Sequence, residues 1–459
     1  MASDVGWGNS VRRISVIGLG KLGAPLACCF ASKGLQVTGV DVDARAVSLM
    51  NQGIAPVFEP GLQELLSSNR DRIAATDDCE AAVAGTDGTF IVVPTPSDES
   101  GGFSLTYVLQ ACERIGRALS RKRDFHLVVL SSTVMPGSTG GEVRPALERH
   151  SRKRCGEDFG LCYSPEFIAL GSVIANFLNP DFILIGECDS RCGKVLAQMY
   201  REVCENDPPM ARMNFVNAEL TKLLVNSFVT TKITFANTVA RICERVPGGD
   251  ADVIASALGL DKRIGRKYLK GAIGYGGPCF PRDNAAIAAF ARRVGVRAML
   301  AETTDSVNRE QVGYLAELVK SKLPQGGTVG ILGLSYKPDT DVVEESQGLQ
   351  LAELLAGQGI PVAVYDPAAM DSARKALRAA VTYSPSAEAC VSEAHVIVIA
   401  TPWEQFKEID SQRLPGDNRS RVLLDCWRII EPSSLGGAVE YVPLGTGKIE
   451  NQGSQCPNR

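Results

Sequence analysis

The sequence of 459 residues contains only three histidines, His126, His150 and His395. None of them stands in a spacing typical of a metal site or a catalytic triad, so we expect no metal site. Proton transfer in an enzyme of this composition would be carried by lysine, cysteine or carboxylates. The fourteen cysteines contain no CxxC pair, which in a reducing compartment predicts mostly small buried side chains.

Long apolar runs and a strong net charge are absent as well. No stretch approaches the roughly 20 apolar residues that span a bilayer, and residues 1–10 lack the basic-then-apolar order of a signal peptide. The net charge of −4 gives no sign of a nucleic-acid-binding surface. We therefore expect a cytoplasmic protein that binds neither membranes nor nucleic acid.

Short apolar runs alternate with helical patterns along much of the chain, at a length that predicts two or three domains. In the first half, strands are predicted at residues 14–17, 35–40, 90–93, 127–130 and 182–185, and helices at residues 21–33 and 105–119. After Gly326-Gly327 the alternation resumes, with strands at residues 328–332, 362–365, 396–400 and 422–424. Such alternation indicates parallel sheets covered by helices on both faces.

Residues 214–244 form a different segment, with a helical period that no glycine or proline interrupts. Thirty-one residues make a rod of roughly 46 Å, long enough to join two domains or to form a dimer interface. The predicted fold class is therefore α/β, with two Rossmann-like, doubly wound parallel-sheet domains joined by a long central helix. The predicted domains are residues 1–213, 214–312 and 313–445, followed by a disordered tail over residues 446–459.

The segment Gly18-Leu19-Gly20-Lys21-Leu22-Gly23 is a G-x-G-x-x-G motif between a predicted strand and a helix. Its glycines allow a tight turn and a close approach of the backbone to a pyrophosphate at the helix N-terminus. Asp41 ends the next predicted strand, where a carboxylate would bind the ribose hydroxyls of the adenosine. Asp41 and Asp43 would repel a 2′-phosphate, so the motif favours NAD over NADP.

Two further loops follow predicted strands at the edge where such sheets bind ligands. They are Pro94-Thr95-Pro96 and residues 131–137, which include Thr133. Their prolines and hydroxyls are equally compatible with ordinary turns.

Residues 274–283 read GYGGPCFPRD, and three glycines with two prolines fix a backbone path rather than build a core. Cys279 lies within this loop beside Arg282, whose positive charge would favour a reactive thiolate. On the long helix, Lys222 and Asn226 are four residues apart and share a face, where they could stabilise an oxyanion. The alternative for Lys222 is a surface ion pair with Glu219.

Seven segments in order resemble the UDP-glucose/GDP-mannose dehydrogenase family over residues 11–445. They are GLGKLG, VPTP, SSTVMPGST, SPEF, NAELTKLLVNSF, RIGRKYLKGAIGYGGPCFPRD and GLSYKPDTDVVEES. The resemblance implies an N-terminal NAD-binding domain, a central helical dimerisation domain and a C-terminal domain that binds the nucleotide sugar. It also implies a homodimer or a higher homo-oligomer.

The resemblance assigns roles to individual residues. Cys279 would be the nucleophile, Lys222 and Asn226 would stabilise oxyanions, Asp283 would assist Lys222, Glu166 would be the base for hydrolysis, and Thr133 would lie near the transferred hydride. The cofactor site would comprise Gly18, Gly20, Lys21, Leu22, Gly23, Asp41, Arg45, Pro94, Thr95, Thr133 and Arg282. The substrate site would comprise Glu166, Phe167, Ile168, Lys222, Asn226, Tyr268, Gly276, Lys337, Arg428 and Arg263, the last reaching a neighbouring subunit's substrate.

The implied reaction is the NAD-dependent oxidation of a sugar's C6 alcohol to a carboxylate through a thioester on Cys279. One departure is that Leu170 stands where the family usually carries a second acidic residue four positions after Glu166. RIGRKYL before the thiol loop favours UDP-glucose as the substrate, with GDP-mannose, dTDP-glucose and other nucleotide hexoses as alternatives. A β-hydroxyacid dehydrogenase, which makes one hydride transfer without a thiol, and an inactive nucleotide-sugar-binding regulator are alternatives from other classes.

Overall fold

The computed structural model describes residues 11–409, 421–435 and 439–448. They form two compact units, of which the first comprises residues 11–225 with Ala289–Val296. The second comprises Asn226–Ala288 and the described residues from Arg297 onward. The three predicted domain ranges stay predictions, and residues 449–459 of the predicted tail lie outside the described residues.

The first unit is built on an eight-stranded sheet with the order β3-β2-β1-β4-β5-β6-β7-β8. Its strands are β1 (Arg13–Ile17), β2 (Gln36–Val40), β3 (Ile73–Thr76), β4 (Gly88–Ile91), β5 (Leu127–Leu130), β6 (Gly160–Tyr163), β7 (Ile183–Glu187) and β8 (Met210–Met213). Its helices are α1 (Gly23–Ser32), α2 (Ala44–Gln52), α3 (Leu62–Ser68), α4 (Cys79–Gly85), α5 (Thr106–Arg121), α6 (Arg144–Ser151), α7 (Val173–Leu178) and α8 (Ser190–Val203). The chain order reverses at β1, which lies between β2 and β4. Such a switch point opens a crevice at the carboxyl ends of the strands.

The sheet is parallel except at one pair, because β6 and β7 run antiparallel. The predicted strands are present within two residues of their expected ends, but β3, β6 and β8 were not predicted. β3 and β8 have no fully buried residue, so neither shows the continuous apolar run of a central strand. Apolar clusters on both faces confirm the expected covering; Phe30 packs on Phe90 with ring centroids 4.8 Å apart.

The uninterrupted segment forms one helix, α9 (Phe215–Cys243), which begins in the first unit and ends in the second. Its 29 residues confirm the predicted long helix to within one residue at each end. Three more helices follow: α10 (Ala251–Leu258), α11 (Phe280–Arg293) and α12 (Met299–Lys322). No helix in the described part of the chain is both long and apolar enough to span a membrane.

The second unit contains a six-stranded, wholly parallel sheet with the order β11-β10-β9-β12-β13-β14. Its strands are β9 (Val329–Leu332), β10 (Val362–Tyr365), β11 (Thr382–Tyr383), β12 (Val396–Ile399), β13 (Arg421–Asp425) and β14 (Val439–Pro443). Its helices are α13 (Gln347–Gly357), α14 (Met370–Ala376) and α15 (Ala387–Ser392). The predicted second Rossmann-like domain is thus confirmed, and its chain order again reverses at the first strand of the sheet.

Candidate active site

The glycine motif of the first unit forms the turn between β1 and α1. Gly18 has a φ of +97°, and a Cβ there would lie 2.5 Å from the carbonyl oxygen of Val92. A Cβ on Gly23 would lie 1.8 Å from the oxygen of Gly18, so the start of α1 packs directly on the turn. Gly20 is exposed, with no atom within 4 Å of its would-be Cβ. Two glycines therefore permit the packing and the third leaves open space before the helix N-terminus.

Asp41 follows β2 beside this turn. Its carboxylate accepts hydrogen bonds from the backbone N–H groups of Leu19 at 2.6 Å and Asp43 at 2.8 Å. Asp43 in turn caps α2 by accepting from the N–H of Arg45, whose side chain is exposed. Lys21 and Leu22 are half-buried in the turn itself. The acid predicted to bind a ribose is thus held at the mouth of the crevice.

The loops after β4 and β5 meet at the same edge of the sheet. Thr95 donates from its hydroxyl to the carbonyl oxygen of Thr133 at 2.7 Å, and Ser132 donates to the carbonyl of Val93 at 2.7 Å. Pro94 is exposed at this edge and Thr133 is half-buried. The sequence allowed either ordinary turns or ligand binding for these two loops. They border the crevice, and they also hydrogen-bond to each other.

Glu219 of α9 determines the path of the second of these loops. Its buried carboxylate accepts from the N–H of Gly137 at 2.5 Å and from that of Thr139 at 2.7 Å. Burial raises the pKa of Glu219, while these donors lower it. The sequence alternative of a Lys222–Glu219 ion pair is not what the structure shows. Sequence analysis missed this role because an acid three residues before a lysine on a helix has the spacing of an ordinary surface ion pair.

Glu166 lies in the loop after β6, together with Phe167 and Ile168. Burial among protein atoms raises the pKa of the Glu166 carboxyl to about 7, although the positive charge of Lys222 and a hydrogen bond from Tyr200 lower it. The Lys222 ammonium donates to the backbone carbonyl of Glu166 at 2.7 Å and lies 4.6 Å from the centre of the Phe167 ring. A carboxyl poised near neutrality beside a lysine is suited to general base chemistry.

Leu170 packs against the apolar core of the first unit, as does Ile168. The position that usually carries a second acid therefore points an aliphatic side chain toward the core instead. The turn that follows is held by Glu59, whose buried carboxylate accepts from the N–H groups of Gly171 and Val173, each at 2.7 Å. Sequence analysis did not identify Glu59 as a functional residue. The one feature that could have indicated its role is an acid within the apolar segment around Val57 and Phe58.

In the second unit, the glycine-rich loop holds Cys279 at the N-terminus of α11. The N–H of Asp283 donates to the carbonyl of Cys279 at 2.8 Å, which makes Cys279 the first residue to enter the helical pattern. The Cys279 side chain is exposed, unlike those of the twelve other described cysteines, which are buried or half-buried. Burial raises the pKa of Cys28, Cys112 and Cys390 to about 12, whereas the positive end of α11 favours a thiolate at Cys279.

The loop around Cys279 is fixed by glycine contacts and buried amides. A Cβ on Gly276 would lie 2.2 Å from the carbonyl oxygen of Glu345, and Gly277, at φ +83°, faces the Tyr336 ring. Four hydrogen bonds from two buried asparagines hold the backbone upstream. Asn308 pairs with both backbone groups of Tyr275, and Asn237 binds the N–H of residue 272 and the carbonyl of residue 273. These asparagines were missed because each stands inside a long helix.

Asn226 and Asp283 are in direct contact in the second unit. The Asn226 amide donates to the Asp283 carboxylate at 2.7 Å, and Asp283 is buried beside the guanidinium of Arg282, 3.7 Å away. The structure thus brings together Asn226, Arg282 and Asp283 in one unit, and Lys222 with Glu166 in the other. The predicted link from Asp283 to Lys222 stays a prediction.

The remaining four substrate candidates all lie in the second unit. Arg263 is exposed over 88% of its side chain and forms a bidentate pair with Asp261. Tyr268 is half-exposed with a φ of +65°, and Lys337 is half-buried in the loop after β9. Arg428 forms an ion pair with Asp252 at 2.7 Å and also donates to the carbonyls of Gly271 and Leu444. Arg428 therefore cross-links α10 and the end of β14 within the second unit.

The two Rossmann-like turns differ where an NAD ribose would bind. In the second turn Gly333 has a φ of +101°, and a Cβ on Gly348 would lie 2.2 Å from its oxygen, which repeats the packing of Gly18 and Gly23. However, the acid that follows β10, Asp366, is buried, and its Oδ2 atom accepts from the backbone N–H groups of Leu334 and Ser335, the Ser335 hydroxyl and the Trp403 indole N–H. Asp41 is only half-buried, unlike Asp366, so the first turn is the one suited to NAD.

Three sequence patterns of one family match successive parts of the chain. The patterns describe the UDP-glucose/GDP-mannose dehydrogenase family: its NAD binding domain matches residues 12–204, its central domain residues 216–310, and its UDP binding domain residues 330–432. The chain belongs to the UDP-glucose/GDP-mannose dehydrogenase family. It is an NAD-dependent nucleotide-sugar 6-dehydrogenase rather than a β-hydroxyacid dehydrogenase.

Individual relatives agree with this assignment. The chain is 36% identical to the UDP-glucose 6-dehydrogenase of Haloferax volcanii over 91% of its own length and 97% of the relative's. It is also 36% identical to the GDP-mannose 6-dehydrogenase of Pseudomonas aeruginosa, over 77% of this chain and 81% of that one. The solved UDP-glucose dehydrogenase of Pyrobaculum islandicum superposes with a TM-score of 0.85 at 36% identity, covering 95% of this chain and 98% of that one.

Proposed function

We propose that this enzyme oxidises UDP-glucose to UDP-glucuronate through a thioester on Cys279. The match to the UDP-glucose 6-dehydrogenase of Haloferax volcanii spans 91% of the chain, against 77% for the GDP-mannose enzyme at the same identity. The wider match, which includes most of the C-terminal unit, supports UDP-glucose. GDP-mannose is the second candidate because its enzymes are equally similar where they match.

The exposed thiol of Cys279 is the observation that carries the proposed mechanism. It stands at a helix N-terminus on a loop that glycine packing and two buried asparagines hold rigid. A nucleophile must be accessible and fixed in place, and Cys279 is the one exposed thiol among the described cysteines. A covalent intermediate also prevents a reactive aldehyde from diffusing away.

The turn of Gly18, Gly20 and Gly23 would hold NAD, which would supply the oxidising power for two successive removals of hydride from C6. Between the two oxidations the Cys279 sulfur adds to the aldehyde carbon and forms a thiohemiacetal. After the second oxidation the resulting thioester is cleaved by water, which releases the carboxylate and regenerates the thiol. The overall reaction converts one alcohol, one water and two NAD⁺ to one carboxylate, two NADH and three protons.

The remaining side chains hold charge and move protons. The Lys222 ammonium stabilises an oxyanion and keeps the adjacent loop in place through the Glu166 carbonyl. The Glu166 carboxyl, with its pKa raised to about 7 by burial, accepts a proton from the attacking water. The Asn226 amide is oriented by Asp283, which leaves it positioned to donate to an oxyanion.

The stoichiometry of NADH against sugar tests this function. We expect two NADH per sugar and fastest turnover with UDP-glucose in a panel that includes GDP-mannose and dTDP-glucose. Cys279→Ala should form no carboxylate, whereas Cys204→Ala, a half-buried cysteine after α8, should turn over normally. One NADH per sugar, or full activity in Cys279→Ala, would refute the thioester route. Faster turnover with GDP-mannose would show that GDP-mannose, and not UDP-glucose, is the substrate.

We also propose that the enzyme is a homodimer or a higher homo-oligomer. On α9, Phe228, Phe235 and Ile242 are spaced by seven residues and therefore lie along one face of the helix. They expose 65%, 51% and 58% of their surface in the single chain. A row of large exposed apolar side chains on one helix is typical of an interface between subunits.

A further inference from the structure

Three side chains at the start of α8, none of them among the catalytic residues proposed above, point their donor atoms at one another. Cys188, Asp189 and Cys192 contribute two sulfurs and one carboxylate oxygen, all within 4.8 Å of one another. The two sulfurs are 3.4 Å apart, and the Asp189 Oδ2 atom is 3.6 Å from the sulfur of Cys188 and 3.3 Å from that of Cys192. Cys188 directly follows β7, Asp189 caps α8, and Cys192 lies in the first turn of α8.

These separations are close to those between ligands of a tetrahedral zinc ion. With Zn–S near 2.3 Å and Zn–O near 2.0 Å, tetrahedral geometry places two sulfurs about 3.8 Å apart and a sulfur about 3.5 Å from an oxygen. The observed distances of 3.4, 3.6 and 3.3 Å fall within a few tenths of an ångström of these values. Two sulfurs and one carboxylate oxygen also form a donor set that zinc prefers.

Neighbouring groups orient these donors. Asp189 uses its Oδ1 atom to cap α8, accepting from the N–H groups of Arg191 at 2.7 Å and Cys192 at 3.1 Å, so its Oδ2 atom is left facing the sulfurs. The N–H of Leu161 donates to the Cys188 sulfur at 3.4 Å, a contact that favours the thiolate form. A Cβ at Gly160 would lie 2.7 Å from the Cys192 sulfur, so that sulfur reaches the cluster only beside a glycine. Outer contacts that fix ligand orientation are typical of metal sites.

A third thiol is adjacent. Cys155, half-buried in the loop after α6, hydrogen-bonds its thiol to that of Cys188. Its sulfur lies outside the group of three donor atoms, so Cys155 would become a fourth ligand once its side chain rotates toward them. The guanidinium of Arg191, 3.6 Å from the Asp189 carboxylate, would offset part of the negative charge of three thiolates and one carboxylate.

We propose that Cys188, Cys192, Asp189 and Cys155 bind a structural zinc ion that fixes α8 against the end of β7. The proposal departs from the expectation of no metal site, because the two principal cysteines are spaced CxxxC and no histidine is involved. A closed site with four protein ligands holds its metal for stability rather than for catalysis. The proposal is independent of the substrate and mechanism proposed above.

Elemental analysis of the full chain tests the site. The protein is purified without a metal-binding tag, mixed with zinc, and then separated from unbound zinc by gel filtration. We expect a single tightly bound zinc ion per chain in the wild type and in Cys204→Ala, and none in Cys188→Ser or Cys192→Ser. Asp189→Asn keeps the helix cap, because asparagine caps as well as aspartate, and should bind zinc at least tenfold more weakly. Cys155→Ser should also weaken binding.

Cobalt substitution gives a second measurement that does not depend on variants folding. Cobalt bound by the wild-type protein should show the sulfur-to-metal charge-transfer band and the intense visible bands of a tetrahedral thiolate site. Wild-type zinc content no higher than that of Cys188→Ser, or cobalt spectra without these bands, would overturn the proposal. So would a native Cys188–Cys192 disulfide found by mass spectrometry in metal-free protein prepared under reducing conditions.

Discussion

At the scale of single residues, the chemistry of this enzyme is set by burial. His126 illustrates the structural case, because burial lowers its pKa to about 3 and its ring binds the Thr89 hydroxyl at 2.8 Å and lies 3.1 Å from the carbonyl oxygen of Thr86. It is a neutral core residue. Glu166 illustrates the functional case, since the same physical effect leaves its carboxyl poised near neutral pH.

The raised pKa of Glu166 predicts a pH-dependent cost to stability. In the unfolded chain the carboxyl loses its proton near pH 4.5, but in the folded protein it keeps the proton until about pH 7. Between these values the folded state binds more protons, so the stability contributed by this group falls as pH rises, by at most about 3 kcal/mol. We expect Glu166→Gln to remove this fall, as measured by denaturant unfolding from pH 4.5 to 8. Parallel wild-type and variant profiles would refute the shift.

At the scale of elements, the turn between β1 and α1 separates two roles of glycine. Gly23→Ala should destabilise the first unit, because its Cβ would overlap the oxygen of Gly18 at 1.8 Å. Gly20→Ala should leave thermal stability unchanged, since no atom lies within 4 Å of the new Cβ, and yet weaken NADH binding by occupying the space of the pyrophosphate.

The melting temperature and NADH affinity of the two variants, measured together, separate these effects. A normal melting temperature for Gly23→Ala would contradict the packing argument. Unchanged NADH affinity in a folded Gly20→Ala protein would place the cofactor elsewhere.

The elements themselves could largely be predicted, but their long-range contacts could not. Periodicity placed α9 to within one residue, and the glycine spacing located the NAD turn. Glu59, Glu219, Asn237 and Asn308 act on loops between 33 and 114 positions away, to which no local pattern points. The guanidinium of Arg428 pairs with Asp252 and two carbonyls, contacts that its motif did not suggest, and its substrate contact stays a prediction.

At the scale of the whole molecule, the exposed row on α9 predicts how subunits associate. Replacing Phe228 and Phe235 by glutamate should produce a monomer, because charges cannot be buried unpaired in an apolar interface. Phe58→Glu is a matched control, since Phe58 is comparably exposed at 53% but lies in the first unit. Sedimentation velocity distinguishes the species. An unchanged sedimentation coefficient in the double variant would move the interface away from α9.

A dimer also allows a test of whether Arg263 acts on a neighbouring subunit's substrate. Cys279→Ala and Arg263→Ala should each be nearly inactive as homodimers. In a hybrid dimer, the subunit that retains Cys279 would receive Arg263 from its partner, so one of the two sites would be intact. Since half of the dimers in a 1:1 mixture are hybrids, activity should recover to about a quarter of the wild-type value. Co-expression with two affinity tags isolates the hybrid. If purified hybrids remain inactive, Arg263 serves its own subunit, and its exposed pairing with Asp261 would be a surface contact alone.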